Sequence, residues 1–197
     1  MKLGKLKSQI QTLGFEEAAT MESAEYMNII INGINRAMQM IAQEVAPVLS
    51  EVNFTIDETT TTRGDIAEYD LTNIPEYEED YMGVEKVIYK TDSEISEDEK
   101  FAEEGSTLYL ANKRGGTFTI SYRRRPKEIT VDSTDDELID MPAAVTNMIA
   151  PLAAYYIWLD DDTQKAQMYR NDYEQLKETY IGNRSSFRTE RVYAIGG

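Results

Sequence analysis

An α+β fold with helices at both ends and antiparallel strands between them is predicted by three changes in hydrophobic spacing. Residues 3–13 and 22–46 place apolar side chains at steps of three and four, residues between about 50 and 131 alternate apolar with polar, and helical spacing returns from Pro142. Strands and helices do not alternate along the chain, which argues against a doubly wound parallel sheet. Neither an internal repeat nor a Gly/Ser linker is present. The expected architecture is an N-terminal helix pair, a small antiparallel β meander, and a C-terminal helical hairpin with an extended tail, forming a body over 1–182 and a tail over 183–197.

Leu3, Leu6, Ile10 and Leu13 give the first helix one apolar stripe, and Gly14 stands where a C-terminal cap favours glycine. The second helix carries Met27, Ile30, Ile34, Met38, Ile41 and Val45 on one face and is stopped by Pro47. Ile29 and Ile31 widen that stripe. A stripe this wide fits a helix packed on two sides, either inside a bundle or between neighbouring subunits, and Ile30, Ile34 and Met38 are the candidate subunit contacts.

From residue 50 the period is two. Val52, Phe54 and Ile56 form one strand, and Ala67, Tyr69 and Leu71 form another beyond a Thr-rich turn at 59–64. Pro75 breaks the ladder because it has no N–H to donate, and a strand restarts over 84–89. Residues 92–104 are dense in carboxylates and read as an exposed acidic excursion. The β-rich runs 107–111 and 117–122 are expected to form a hairpin, joined at Asn112-Lys113-Arg114-Gly115-Gly116, where paired glycines can take positive φ. Arg123-Arg124-Arg125-Pro126 ends the hairpin; Ile129 and Val131 follow as an extended piece, and 132–140 is a polar link.

Pro142 suits the first turn of a helix over 142–159 that holds Val145, Met148, Ile149, Leu152, Tyr156 and Leu159, with Pro151 expected to bend or interrupt it and a kinked helix the expected outcome. Asp160-Asp161-Asp162 offers N-caps for a last helix over 163–180, with Ala166, Tyr169, Tyr173, Leu176 and Tyr180 at helical spacing and Gly182 ending it. Tyr156, Tyr169 and Tyr173 are read as core and subunit contacts, since an aromatic ring with a polar tip is favoured at both. The tail carries Arg184, Arg188 and Arg191 among Phe187, Val192 and Tyr193 and is expected to order against a partner.

Composition narrows the chemistry. The chain of 197 residues has 36 acidic and 20 basic residues, a formal net charge of -16, no histidine and no cysteine. Missing His and Cys remove Ser-His-Asp triads, thiolate nucleophiles, disulfides and His or Cys metal ligands. Carboxylate pairs such as Asp160-Asp161 are expected by abundance alone, and 92–104 lacks the ligand alternation and mid-loop glycine of a calcium loop. No phosphate-cradling glycine loop occurs. The net charge opposes wrapping of nucleic acid, and fits either a monomer kept from aggregating before it assembles or a passage that DNA slides through without sticking; charge alone does not choose between them. The N-terminus lacks the apolar core of a signal peptide, and 149–159 is shorter than the ~20 residues that span a bilayer. The expectation is a non-enzymatic protein without cofactor, metal or membrane.

Thr117-Phe118-Thr119-Ile120-Ser121-Tyr122-Arg123-Arg124-Arg125-Pro126, then Ile129-Thr130, an acidic link, and Met141-Pro142 opening a helix through Ala153-Ala154-Tyr155 to Asp160-Asp161, together resemble the adaptor, or head-to-tail connector, proteins of tailed phages. Asn73-Ile74-Pro75 before a hydrophobic strand adds to the likeness, which covers about residues 3–180. The resemblance implies a virion protein made in the host cytoplasm and placed in the neck as a homo-oligomeric ring, commonly of twelve subunits. It implies a portal protein above, a tail or second neck protein below, and DNA passing through without specific binding. Under that implication Arg184, Phe187, Arg188, Arg191 and Tyr193 bind the portal. The acidic segment 92–104 and the arginine-bearing tail depart from the family pattern. A tail-terminator or baseplate protein is the alternative, followed by an acidic regulatory binding module, with a carboxylate-based hydrolase last.

Overall fold

The computed structural model describes residues 1–14, 24–56, 62–63, 66–75, 77–90, 95–97, 100–110 and 116–193. The connection at 112–115, the tail residues 194–197, and most of the turn at 59–64 lie outside the described residues. The chain forms two compact units: a helical unit from Met1–Pro47 and Pro126–Gly197, and a β unit from Val48–Arg125.

In the helical unit, α1 (Leu3–Gly14) buries Leu3, Leu6 and Ile10. Its first turn is held by the 135–139 segment: Leu3 N–H donates to the Glu137 carbonyl and Gly4 N–H to that of Asp135, both at 2.9 Å. The stretch expected as a polar link therefore has a structural task. α2 (Ala24–Glu44) buries Ile30, Ile34, Ala37, Met38 and Ile41. It packs on α3 (Ile149–Trp158), which also meets α1 and α4 (Thr163–Tyr193). α3 buries every residue from Ile149 through Ala154, as a helix apolar all round must. At Gly33 the two backbones approach closely: an added Cβ would lie 3.0 Å from Ile157 Cγ1 and 3.2 Å from the Ala153 carbonyl oxygen.

Two helix boundaries differ from expectation. The helix expected over 142–159 is divided into a 3-10 segment, Ala143–Met148, and α3, so that Pro151 falls in the first turn of α3 instead of kinking a continuous helix. Proline has no N–H to bond the carbonyl four residues back, and its ring crowds that carbonyl, so it is accommodated in the first turn of a helix, where the N–H groups have no intrahelical partner. Secondly, α4 does not end at Gly182 but continues to Tyr193, so residues 183–193, expected as tail, belong to the helix. A lone glycine inside a helix costs about 1 kcal/mol and breaks it only with help from its neighbours. The cap at the start of α4 is as expected. The Asp162 carboxylate accepts from the N–H groups of Gln164 at 3.1 Å and Lys165 at 3.0 Å. Asp162→Ala is expected to lower stability by about 0.5–2 kcal/mol, measured as a drop in melting temperature of the helical signal by circular dichroism.

In the β unit, β1 (Val48–Ile56), β3 (Ile66–Asp70), β4 (Tyr81–Lys90), β7 (Thr107–Leu110) and β8 (Gly116–Arg124) fall on the expected strands. Three short strands join them: β2 (Thr62–Arg63), β5 (Ile95–Glu97) and β6 (Phe101–Glu104). The pairing does not follow chain order. One antiparallel sheet runs β1-β8-β4-β5 and the other β2-β3-β7-β6. β7 and β8 thus lie in different sheets, and the expected hairpin between them is not formed; β7 pairs with β3 and β6, and β8 with β1 and β4. Part of the acidic excursion is likewise strand, because Phe101–Glu104 completes the second sheet with all four side chains exposed.

One apolar core holds the two sheets together. Val87, Tyr89, Phe118, Ile120 and Tyr122 from the first sheet are buried with Ala67, Tyr69, Leu108 and Leu110 from the second. The Phe54 and Tyr69 rings meet across them with centroids 4.6 Å apart. Gly116 opens β8 at φ +138°, and a Cβ there would stand 2.9 Å from Tyr89 Cε2, so glycine is required both by conformation and by space.

Candidate functional site

No cluster of acidic residues among the described residues could hold a metal ion, and no helix there is long and apolar enough to cross a membrane. Two polar features stand out on the helical unit.

The first is a cation–aromatic seam where α2, α3 and α4 converge. Tyr155 and Tyr156 leave α3 at its half-buried end with ring centroids 5.1 Å apart. The Tyr156 hydroxyl donates to Met40 Sδ at 2.8 Å, which fixes the ring against α2. Arg36, one turn before Met40, lays its guanidinium over that ring at 4.2 Å. From α4, Arg170 stands 5.6 Å from the Tyr155 centroid and 5.2 Å from that of Tyr173, and pairs with Glu174 at 2.7 Å. Lys177 closes the seam with an ion pair to Glu44 at 2.7 Å, and that hydrogen bond raises the lysine pKa above its ordinary value. Burial raises the pKa of Tyr156 and Tyr173, so both hydroxyls stay neutral at any physiological pH.

Of the residues expected at a subunit interface, Ile30, Ile34, Met38, Tyr169 and Tyr173 are buried in the chain's own core, at 4% exposure or less, and only Tyr156 is half-buried. The width of the α2 stripe is used within one chain: elements more than a hundred residues later in sequence cover it, and hydrophobic period alone does not say which segment does the covering. Arg36, Met40 and Arg170 were missed by sequence reasoning. Their signal is faint but present, since Ile29, Arg36 and Met40 recur at steps of seven and four on one face of α2, and Ile29 is 41% exposed.

The second surface is the far part of α4. Its inner face buries Ala166, Tyr169 and Tyr173. Beyond them Tyr180 is half-buried, while Ile181, Gly182, Asn183 and Arg184 are exposed. With 31 residues α4 is about 46 Å long, whereas α3, with 10, is about 15 Å, so α4 outruns the helix that covers it. Phe187, Arg188 and Arg191 lie within the same helix, and Tyr193 closes it. All five residues expected to bind a portal therefore lie on a helix, not on an irregular tail.

In the β unit a single carboxylate ties the two sheets. Glu103 on β6 accepts from the Tyr81 hydroxyl at 2.7 Å and from Val84 N–H at 3.1 Å, beside the β4 irregularity. Burial first, then this carboxylate, pushes the Tyr81 pKa far up. This explains one member of the acidic run as structural.

A family model described as SU10 adaptor protein matches residues 1–193. No curated protein matches the chain.

Proposed function

The chain belongs to the SU10 adaptor protein family, a family of phage head-to-tail adaptors, and from that membership we propose that it is one subunit of a ring in the phage neck. As an adaptor it is a structural component of the virion that serves the head–tail connection and interacts with other head and tail proteins. Our reading adds that about twelve copies sit beneath the portal, extend the channel for the genome and present a platform to the tail or to a second neck protein.

The observation that carries the portal contact is the run of α4 past its cover. Among the side chains described on α4, the last buried one is Tyr173, and the helix continues to Tyr193. Arg184, Phe187, Arg188, Arg191 and Tyr193 lie on that last stretch of helix and dock on the portal. A preformed helix lowers the ordering cost that a coiled tail would bring to the same contact. The net charge of -16 supports a passage that repels DNA phosphates, leaving the genome free to slide. A structural adaptor family also implies a non-enzymatic role.

Particles assembled with the chain truncated after Gly182 are expected to lack it, as measured by quantitative mass spectrometry of purified virions, while the truncated chain keeps a native melting curve. Full occupancy by the truncated chain would refute the docking assignment. Cryo-microscopy of intact virions supplies the second check, because density below the neck would identify a tail terminator instead of an adaptor ring.

A further inference from the structure

Arg36 is an exposed cation with no acidic partner among the described residues, in a chain where acids outnumber bases 36 to 20. Such a surplus makes chance pairing easy, and neighbouring bases of the helical unit do pair: Lys2 with Asp136, Lys7 with Asp135, Arg170 with Glu174, Lys177 with Glu44. Arg36 instead stands over the Tyr156 ring, 4.2 Å from its centroid, a ring that is itself pinned by its hydroxyl to Met40. Stacking uses the face of a guanidinium and leaves its edge donors directed outward, in a fork that matches a carboxylate. The surrounding residues, Met40, Tyr155, Tyr156 and Arg170, are of the types enriched at the centre of protein interfaces.

We propose that this seam receives a carboxylate-bearing surface of a second copy of the chain, with Arg36 as its charged anchor. The inference rests on the ring reading above and names the contact that builds the ring. Charge chooses the occupant: the seam is cationic at its centre, and a chain of net charge -16 offers acidic surface elsewhere to meet it. Charge also chooses the symmetry. A two-fold contact of seam on seam would set Arg36 against Arg36, whereas seam on acidic face repeats head to tail, and a repeat of that kind closes into a ring when its rotation permits.

The test uses R36E, R36Q and R36K in assembled virions. R36E is expected to lower the copy number of this chain at least tenfold and R36Q several-fold, with R36K nearest to wild type and all three melting as the wild type does. Carbodiimide treatment of R36K virions is expected to join the introduced amine to a carboxylate of another copy, seen as a position-36 linked peptide in a covalent dimer. A wild-type ring that accepts R36E at full copy number, or a position-36 link to a different protein, overturns the inference and leaves the ring reading intact. Wild-type virions that hold only isolated copies sink the ring reading and the inference with it.

Discussion

Phe118→Ala is expected to remove about 3–5 kcal/mol from the stability of the β unit, which is most of what a domain of this kind possesses. Phe118 is 0% exposed and lies in the central strand, opposite Phe54 on one side and Tyr89 on the other, with its ring centroid 4.9 Å from that of Tyr89. Truncation leaves a void walled by β-sheet backbone on both flanks, and hydrogen-bonded strands cannot close in on it. Transfer and cavity terms therefore add. Denaturant titration should show a lower midpoint at unchanged slope, with amide exchange accelerated in β8 and β4; Phe118→Leu should fall between. A loss below about 1 kcal/mol would mean that the two sheets do not share a close-packed core.

Gly33→Leu should loosen the packing of α2 on α3, costing about 1–3 kcal/mol net. Two effects oppose each other here. Leucine gains up to about 1 kcal/mol in helix propensity over glycine, but its Cβ alone would meet Ile157 Cγ1 at 3.0 Å and the Ala153 carbonyl oxygen at 3.2 Å, with three more carbons still to place. Ile157 can shift its side chain; the Ala153 carbonyl belongs to the helix backbone and cannot. For Gly33→Ala propensity and crowding nearly cancel, and the change should stay within about 1 kcal/mol. Trp158, the single tryptophan, follows Ile157 directly and makes the transition readable by fluorescence. Equal melting of wild type and Gly33→Leu would show that α2 and α3 pack less closely than described.

Element type was legible wherever one period ran long enough. The apolar steps of α1, α2 and α4 and the alternation in β1, β3 and β4 each named their element, and Asp162 announced its cap. Pairing was not legible. Gly115-Gly116 between two β-rich runs carries the local signal of a hairpin, yet β7 and β8 take their partners from strands far away in sequence, and nothing local encodes that choice. Phe101–Glu104 was hidden by charge, since an edge strand with four exposed side chains has no apolar row to betray it. The end of α4 was misplaced because glycine permits a stop without enforcing one. The α2 stripe packs on α3 within the chain, a partner that the period of the stripe does not name.

The position of the β unit in the chain has a consequence for how such a protein can vary. It departs after Pro47 and returns at Pro126, and its terminal strands pair Val48 directly opposite Arg124. Entry and exit are therefore neighbours across one antiparallel rung, about 5 Å apart. The helical unit accommodates a gap of that width whatever the length of the insert between its edges, since the cost of closing the excursion is already met by the rung itself. The β unit is in effect a cassette with adjacent ends in the sequence of the helical unit: strands can be lengthened, loops exchanged or charge redistributed within it while the helices keep their own sequence.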